Sequence, residues 1–216
     1  MRGLLLAVVL GWGSAAMAAG ANAVVQMEFS HPGLVPARWS LELHPDGRGH
    51  FKTERGDAPR VEDGLEAPDI DRDVQLSAQY AEHVFAIAAK KRYFRMECES
   101  HAKVAFQGAK RLSYTGESGQ GSCEFNYSKD QEIQQLGDSL ESVATTLIEG
   151  ARLEILRKHD PLGLDKEMER LTDSVSDGRA KQIGSIRAIL VQLSEDPAVM
   201  ERVRKRARGL LDRAEN

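Results

Sequence analysis

Residues 38–54 confine the fold more tightly than any other stretch. Arg38-Trp39-Ser40-Leu41-Glu42-Leu43 alternates apolar and polar with period two, and Gly49-His50-Phe51-Lys52-Thr53 resumes the alternation after His44-Pro45-Asp46-Gly47. Pro at the second turn position, Asp at the third and Gly at the fourth suit a type I turn closed by a G1 bulge. That turn sets a register: His44 opposite Arg48, Leu43 opposite Gly49, Leu41 opposite Phe51 and Trp39 opposite Thr53. Trp39, Leu41, Leu43 and Phe51 then share one face. Glu42 against His50 and Arg38 against Glu54 put opposite charges together on the other. His44 and His50 are expected on opposite faces of the hairpin.

The flanking residues extend this into a small sheet. Val24 to Phe29 reads as a first strand, and residues 55–73, rich in Gly, Pro and charge, read as a loop. A helix is expected from an N-cap at Ser77, with Ala81, Val84, Phe85 and Ala88 inward, ending in Lys90, Lys91 and Arg92. Four alternating segments follow: Phe94/Met96/Cys98, Val104/Phe106, Leu112/Tyr114 and Cys123/Phe125/Tyr127. Gln107 to Lys110 reads as a turn and Gly116 to Gly121 as a flexible loop.

From residue 129 onward the period changes from two to three and four. Ile133, Leu136, Leu140, Val143, Leu147, Ala151 and Ile155 mark a long amphipathic helix, opened by a capping box at Ser128 and Gln131, with Gly150 as a point where it can bend. Leu164, Met168, Leu171 and Val175 mark a second helix, and Ile183, Ile186, Leu190 and Leu193 a third. Asp196-Pro197 starts a fourth, through Val199, Val203, Ala207, Leu210 and Ala214. The expected fold is α+β: a sheet domain over 19–128 with one packed helix, then an antiparallel helical module over 129–216.

Residues 1–18 carry the marks of a cleavable export signal. Arg2 precedes an apolar run from Leu4 to Leu10, small residues follow, and Ala16-Met17-Ala18 fits the peptidase rule. Cleavage is expected between Ala18 and Ala19, with Ala23 as the competing site. The apolar run is short of the ~20 residues that a spanning helix needs, and no later stretch is long and apolar enough. The expected location is therefore periplasmic or secreted. In an oxidising compartment the two cysteines, Cys98 and Cys123, read as a disulfide between strands of one sheet. The net charge of −4 argues against a nucleic-acid partner.

Two local patterns resemble known families. Within residues 179–214, Asp196-Pro197-Ala198-Val199, Arg202-Val203-Arg204, Ala207 and Leu210-Leu211 resemble the second helix of a HEAT repeat, covering a single helix pair. At domain level, Asp46-Gly47, Tyr93-Phe94, Gly108 and Tyr114-Thr115-Gly116 are similar to an exported bacterial domain family of unknown function, over residues 24–157. That resemblance brings no catalytic residues with it.

The remaining motifs are sparse. His31, His44, His50, His83, His101 and His159 lack metal-ligand spacing. Gly116-Glu117-Ser118-Gly119-Gln120 breaks the G-x-S-x-G pattern at its fifth position. The acidic run Glu62, Asp63, Glu66, Asp69, Asp71 and Asp73 lacks calcium-loop spacing. Asn126-Tyr127-Ser128 forms a glycosylation sequon, set aside as fortuitous. Arg202, Arg204, Lys205, Arg206 and Arg208 make the densest basic cluster, a candidate docking face for an acidic protein or the envelope. No catalytic residue, metal or cofactor is expected. The function expected is a non-enzymatic, exported module binding a protein or an envelope component. Two alternatives stay open. One is a hydrolase pairing His83 or His101 with Glu97 or Glu99. The other is an inhibitor of an exported enzyme, presenting a loop such as 116–121.

Overall fold

The computed structural model describes residues 22–56 and 69–214. Residues 1–18, expected to be an export signal, with Ala18 and Ala19 at its expected cleavage point, and Glu62, Asp63 and Glu66 of the acidic run, lie outside the described residues. The architecture is α+β. Six antiparallel strands, β1 (Val24–Ser30), β2 (Arg38–Leu43), β3 (Arg48–Glu54), β4 (Asp71–Gln75), β5 (Ala109–Gly116) and β6 (Gly119–Phe125), form one sheet. Its order is β4-β3-β2-β1-β5-β6. Five helices complete the fold: α1 (Ala78–Lys90), α2 (Gln131–His159), α3 (Leu164–Ser176), α4 (Arg187–Glu195) and α5 (Glu201–Ala214).

The β2–β3 hairpin has the register that its turn dictates. Leu41 pairs with Phe51, Trp39 with Thr53, Glu42 with His50 and Arg38 with Glu54. Gly47 closes the turn at φ +84°, a conformation that only glycine adopts without strain. One expectation about this hairpin is corrected. Glu42 faces His50, and His44, two residues beyond Glu42, donates its backbone N–H to Arg48 O at 2.7 Å. Side chains two apart share a face, so His44 and His50 lie on the same, polar side.

Among the described residues, one side of the sheet is covered. Val25, Met27, Phe29, Trp39, Leu41, Leu43, Phe51, Leu112, Tyr114 and Phe125 point inward and are buried. They belong to a single apolar cluster that continues through the helices as far as Leu210. The opposite side carries a polar row with charges on five of the six strands: Asp71, Lys52, Ser40, Glu28, Arg111 and Glu124 stand in register from edge to edge. Neighbouring signs alternate, and the pairs close at 3.2 Å (Lys52–Asp71), 3.9 Å (Arg111–Glu28) and 3.7 Å (Arg111–Glu124).

Helix α2 joins the sheet to the other helices and runs unbroken through Gly150. Gly137 lies against Phe125 of the sheet and Gly150 against Ile186 ahead of α4. Arg72 of β4 reaches Glu154 with both guanidinium nitrogens, at 2.9 and 3.0 Å.

Several local expectations are corrected. Residues 71–73, read as the end of a loop, belong to β4, whose ladder with β3 places Val74 opposite Gly49 inside. The segments Phe94–Cys98 and Val104–Phe106, read as two strands, pair with none; β5 instead begins at Ala109, inside the expected turn. The 116–121 segment is a tight turn, with Gly116 and Gly119 already paired. Asp130, not Ser128, caps α2: its Oδ1 accepts from Glu132 N and Ile133 N. A charged acceptor at that position outcompetes a hydroxyl two residues earlier. The third helix of the sequence reading starts as a 3-10 turn at Ile183–Ile186 before α4. Asp196 accepts from Ala198 N at 3.0 Å, a side-chain turn that delays α5 to Glu201.

Candidate binding loop

The segment after α1 is shaped by a reversal of hand. Arg92, Tyr93 and Phe94 all have positive φ (54°, 56° and 63°). Each left-handed residue costs about 1 kcal/mol, and complete burial of Phe94 offsets that cost. The chain then runs along the β6 edge of the sheet, where the Tyr93 carbonyl and Arg95 crowd Gly121. A bare strand edge invites pairing with other chains, and this strap occupies it.

Cys98 and Cys123 form a disulfide with Cα atoms 5.7 Å apart. It ties the strap to β6 rather than joining two strands, because residues 95–108 never enter the sheet. Next to it, the Glu99 carboxylate collects three backbone donors: Asn126 N at 2.7 Å, Ser100 N at 2.7 Å and His101 N at 3.1 Å. These bonds, that of Asn126 foremost, hold its pKa below the ordinary glutamate value. Ser100 N donates to Tyr127 O at 2.9 Å, and Ser100 Oγ accepts from Ala102 N at 3.0 Å.

Beyond this anchor, residues 101–107 are exposed. Asn126, the first residue after β6, holds them from behind. Its Nδ2 donates to Ala105 O at 3.1 Å, and its Oδ1 accepts from Gln107 N at 2.6 Å. The two bonds bracket Phe106, whose side chain is 56% exposed and stacks on the His31 ring at 5.2 Å. Val104 and Leu34 are the nearest exposed apolar residues in sequence and across the neighbouring 31–36 turn. Gly108, at φ +118°, returns the chain to β5; a Cβ there would stand 2.3 Å from the Phe29 ring.

The loop itself was not among the sequence-derived sites. Its Val104/Phe106 alternation looked like a strand, and Asn126 looked like part of a sequon. An exposed apolar pair bounded by one cysteine and one glycine was the only signal available.

The structure scatters the other candidates. Arg202 and Arg206 of the basic cluster both reach Asp165 of α3, at 2.8 and 2.5 Å. Arg204 and Arg208 pair with Glu201 of their own helix. Four of the five basic side chains thus neutralise carboxylates of this chain. His101 Nε2 meets Glu97 Oε1 at 2.6 Å, but both side chains are about three-quarters exposed, so no desolvated cleft tunes them. His83 lines a shallow cleft between α1 and α2 with Tyr80, Asp138 and Ser139. Burial pushes the Tyr80 hydroxyl up to about 12, against its bond from or to Ser139.

Two further clusters carry unusual electrostatics. His50 contacts Asp73 through Nδ1 and Asp71 through Nε2, both at 2.9 Å. A neutral imidazole donates from one nitrogen only, so this bridge selects the imidazolium, and the Asp73 and Asp71 bonds raise its pKa. Between α2 and α3, Arg170 bonds both Glu149 (2.8 Å) and Glu167 (2.5 Å). Burial, then the nearby Glu149 carboxylate, pushes Glu167 up to about 7. Among the described residues no group of three or more His, Cys, Asp or Glu side chains is placed to hold a metal ion. Nor is any helix long and apolar enough to cross a membrane. Neither a family model nor a curated protein sequence matches the chain.

Proposed function

We propose that this is an exported, non-enzymatic protein-binding module whose binding element is the loop at residues 98–108. The observation that carries the reading is the Asn126 clamp, which fixes the backbone on both sides of an exposed phenylalanine. Association costs entropy wherever a loop must be ordered, and a loop already held in one shape avoids that cost. Aromatic side chains projecting from a rigid frame are the usual anchors of protein interfaces. The export signal of residues 1–18 and the Cys98–Cys123 disulfide support an oxidising compartment.

The competing surfaces have less in their favour. The open face of the sheet is a wall of charges that already satisfy one another. The basic residues of α5 are engaged with Asp165 and Glu201. The hydrolase reading draws on a His101–Glu97 contact that lies in open solvent.

The test is cross-linking from a photoreactive residue at Lys103 in protein recovered from the exported fraction. The expected result is one stoichiometric partner, lost in a Val104→Asp/Phe106→Asp variant whose thermal unfolding is unchanged. An identical cross-linking pattern in wild type and variant refutes the loop as binding element. Recovery only of cytoplasmic protein with Met1 intact refutes export.

A further inference from the structure

Building on the loop as binding element, we infer that its partner is a serine endopeptidase with a deep apolar specificity pocket. Phe106 fills that pocket, and the Phe106–Gln107 peptide bond lies at the enzyme's reacting position. The loop thus acts as a substrate-like inhibitor.

The argument rests on which atoms are held and which are free. An endopeptidase reads an extended backbone and one projecting side chain, then attacks the carbonyl of that residue. Asn126 holds the carbonyl of the residue before Phe106 and the amide nitrogen of the residue after it. It leaves the Phe106 carbonyl for the enzyme, and the half-exposed side chain turns off the His31 ring to enter the pocket. Within residues 98–107 only His101 has a positive φ (52°), so 102–107 lack left-handed turns. Upstream, a tight turn from Val104 N to Ala102 O at 2.9 Å and the Glu99 carboxylate fix the approach. Downstream, Gly108 against Phe29 fixes the exit.

The same clamp explains why such a loop would inhibit rather than be consumed. In an acyl-transfer enzyme the serine oxygen attacks Phe106 C, and the bond that breaks is Phe106 C–Gln107 N. The bonding pair stays on Gln107 N, which takes the proton relayed from the serine by the enzyme's histidine. In an ordinary substrate that amine diffuses away and water completes hydrolysis. Here Asn126 Oδ1 still holds Gln107 N. The two chain segments also remain joined by the Cys98–Cys123 disulfide and by the β1–β5 ladder. The amine therefore re-attacks the acyl carbon, expels the serine oxygen and restores the bond. An enzyme that releases no amine completes no turnover.

The probe is bovine chymotrypsin, assayed on a small anilide substrate in the presence of the mature, oxidised protein. Stoichiometric inhibition is expected, with Phe106–Gln107 recovered intact. Phe106→Ala weakens inhibition by about 100-fold, in the range of a lost anchor residue. Phe106→Lys transfers inhibition to trypsin, a change of specificity that a merely structural role would not produce. Asn126→Ala, checked for an unchanged far-UV spectrum, converts the loop into a substrate cut after Phe106. Three results would each overturn the inference: no inhibition by wild type, rapid wild-type cleavage at this bond, or inhibition indifferent to Phe106→Ala. Loop-dependent cross-linking that survives while chymotrypsin is unaffected removes the protease alone and leaves the binding module standing.

Discussion

Lys110 and Glu141 form an ion pair across the boundary between sheet and helix, with Nζ and Oε1 2.9 Å apart and the lysine side chain only 2% exposed. Lys110 stands on the inward face of β5, opposite Phe29, and its ammonium also lies over the Phe125 ring. Burial raises the Glu141 pKa even with Lys110 beside it. Such a pair contributes little net stability, but removing one partner strands the other. Lys110→Ala is expected to cost about 3 kcal/mol, and Lys110→Met with Glu141→Leu to return within about 1 kcal/mol of wild type. Urea unfolding of the single and double variants measures both.

The disulfide closes a loop of sequence separation 25. Cys98→Ala/Cys123→Ala is expected to lower stability by about 3 kcal/mol. Hydrogen exchange should quicken first in residues 98–108, because only non-covalent contacts, those of Glu99, Ser100 and Asn126 foremost, then hold the strap. Uniform exchange across the chain would contradict the anchoring role of the bridge.

The pH dependence has a definite sign. His50 and Glu167 both have raised pKa values in the folded chain. Each binds its proton more tightly folded than unfolded, so each contribution is complete below the unfolded value and lost as pH rises through the folded one. For Glu167 the window runs from the ordinary 4.5 to about 7; for His50 it begins at the ordinary 6.5 and extends upward. The melting temperature should therefore fall between mildly acidic and neutral pH. Glu167→Gln should flatten the lower part of that fall and His50→Gln the upper part. Calorimetry across this range tests it, and His50 proton resonances titrating below 6.5 would contradict the Asp71–Asp73 bridge.

Asp165 accepts from both Arg202 and Arg206 and so joins α3 to α5. Charge reversal of the two arginines is expected to lower the melting temperature modestly, with Asp165→Ala lowering it somewhat less. The partner cross-linked from the loop should remain. Loss of that partner in a variant that still unfolds cooperatively would return the basic face to consideration.

Much of the fold was legible in the chain because its causes are local. The hairpin register follows from four turn residues and a period of two, and Ser77 caps α1 as its hydroxyl predicts. A count of two cysteines, on the expectation of an oxidising compartment, was enough to pair Cys98 with Cys123. Misreadings arose where period two had to stand for pairing. Val104 and Phe106 alternate like a strand, but alternation says nothing about which side meets water, and both face out. Asp71 to Asp73 read as the end of a charged loop, yet Val74 and the Arg72–Glu154 bond make Asp71–Gln75 an edge strand.

What the amino-acid order determined by itself was the run of helices after the sheet and the hairpin pairing, since each depends on neighbours a few residues apart. The binding loop was decided only in three dimensions. Asn126 lies 21 residues from Ala105 and 19 from Gln107, and nothing local marks it as a clamp. It becomes one because β6 ends beside the strap and aims a single amide, both donor and acceptor, at the two backbone groups flanking Phe106.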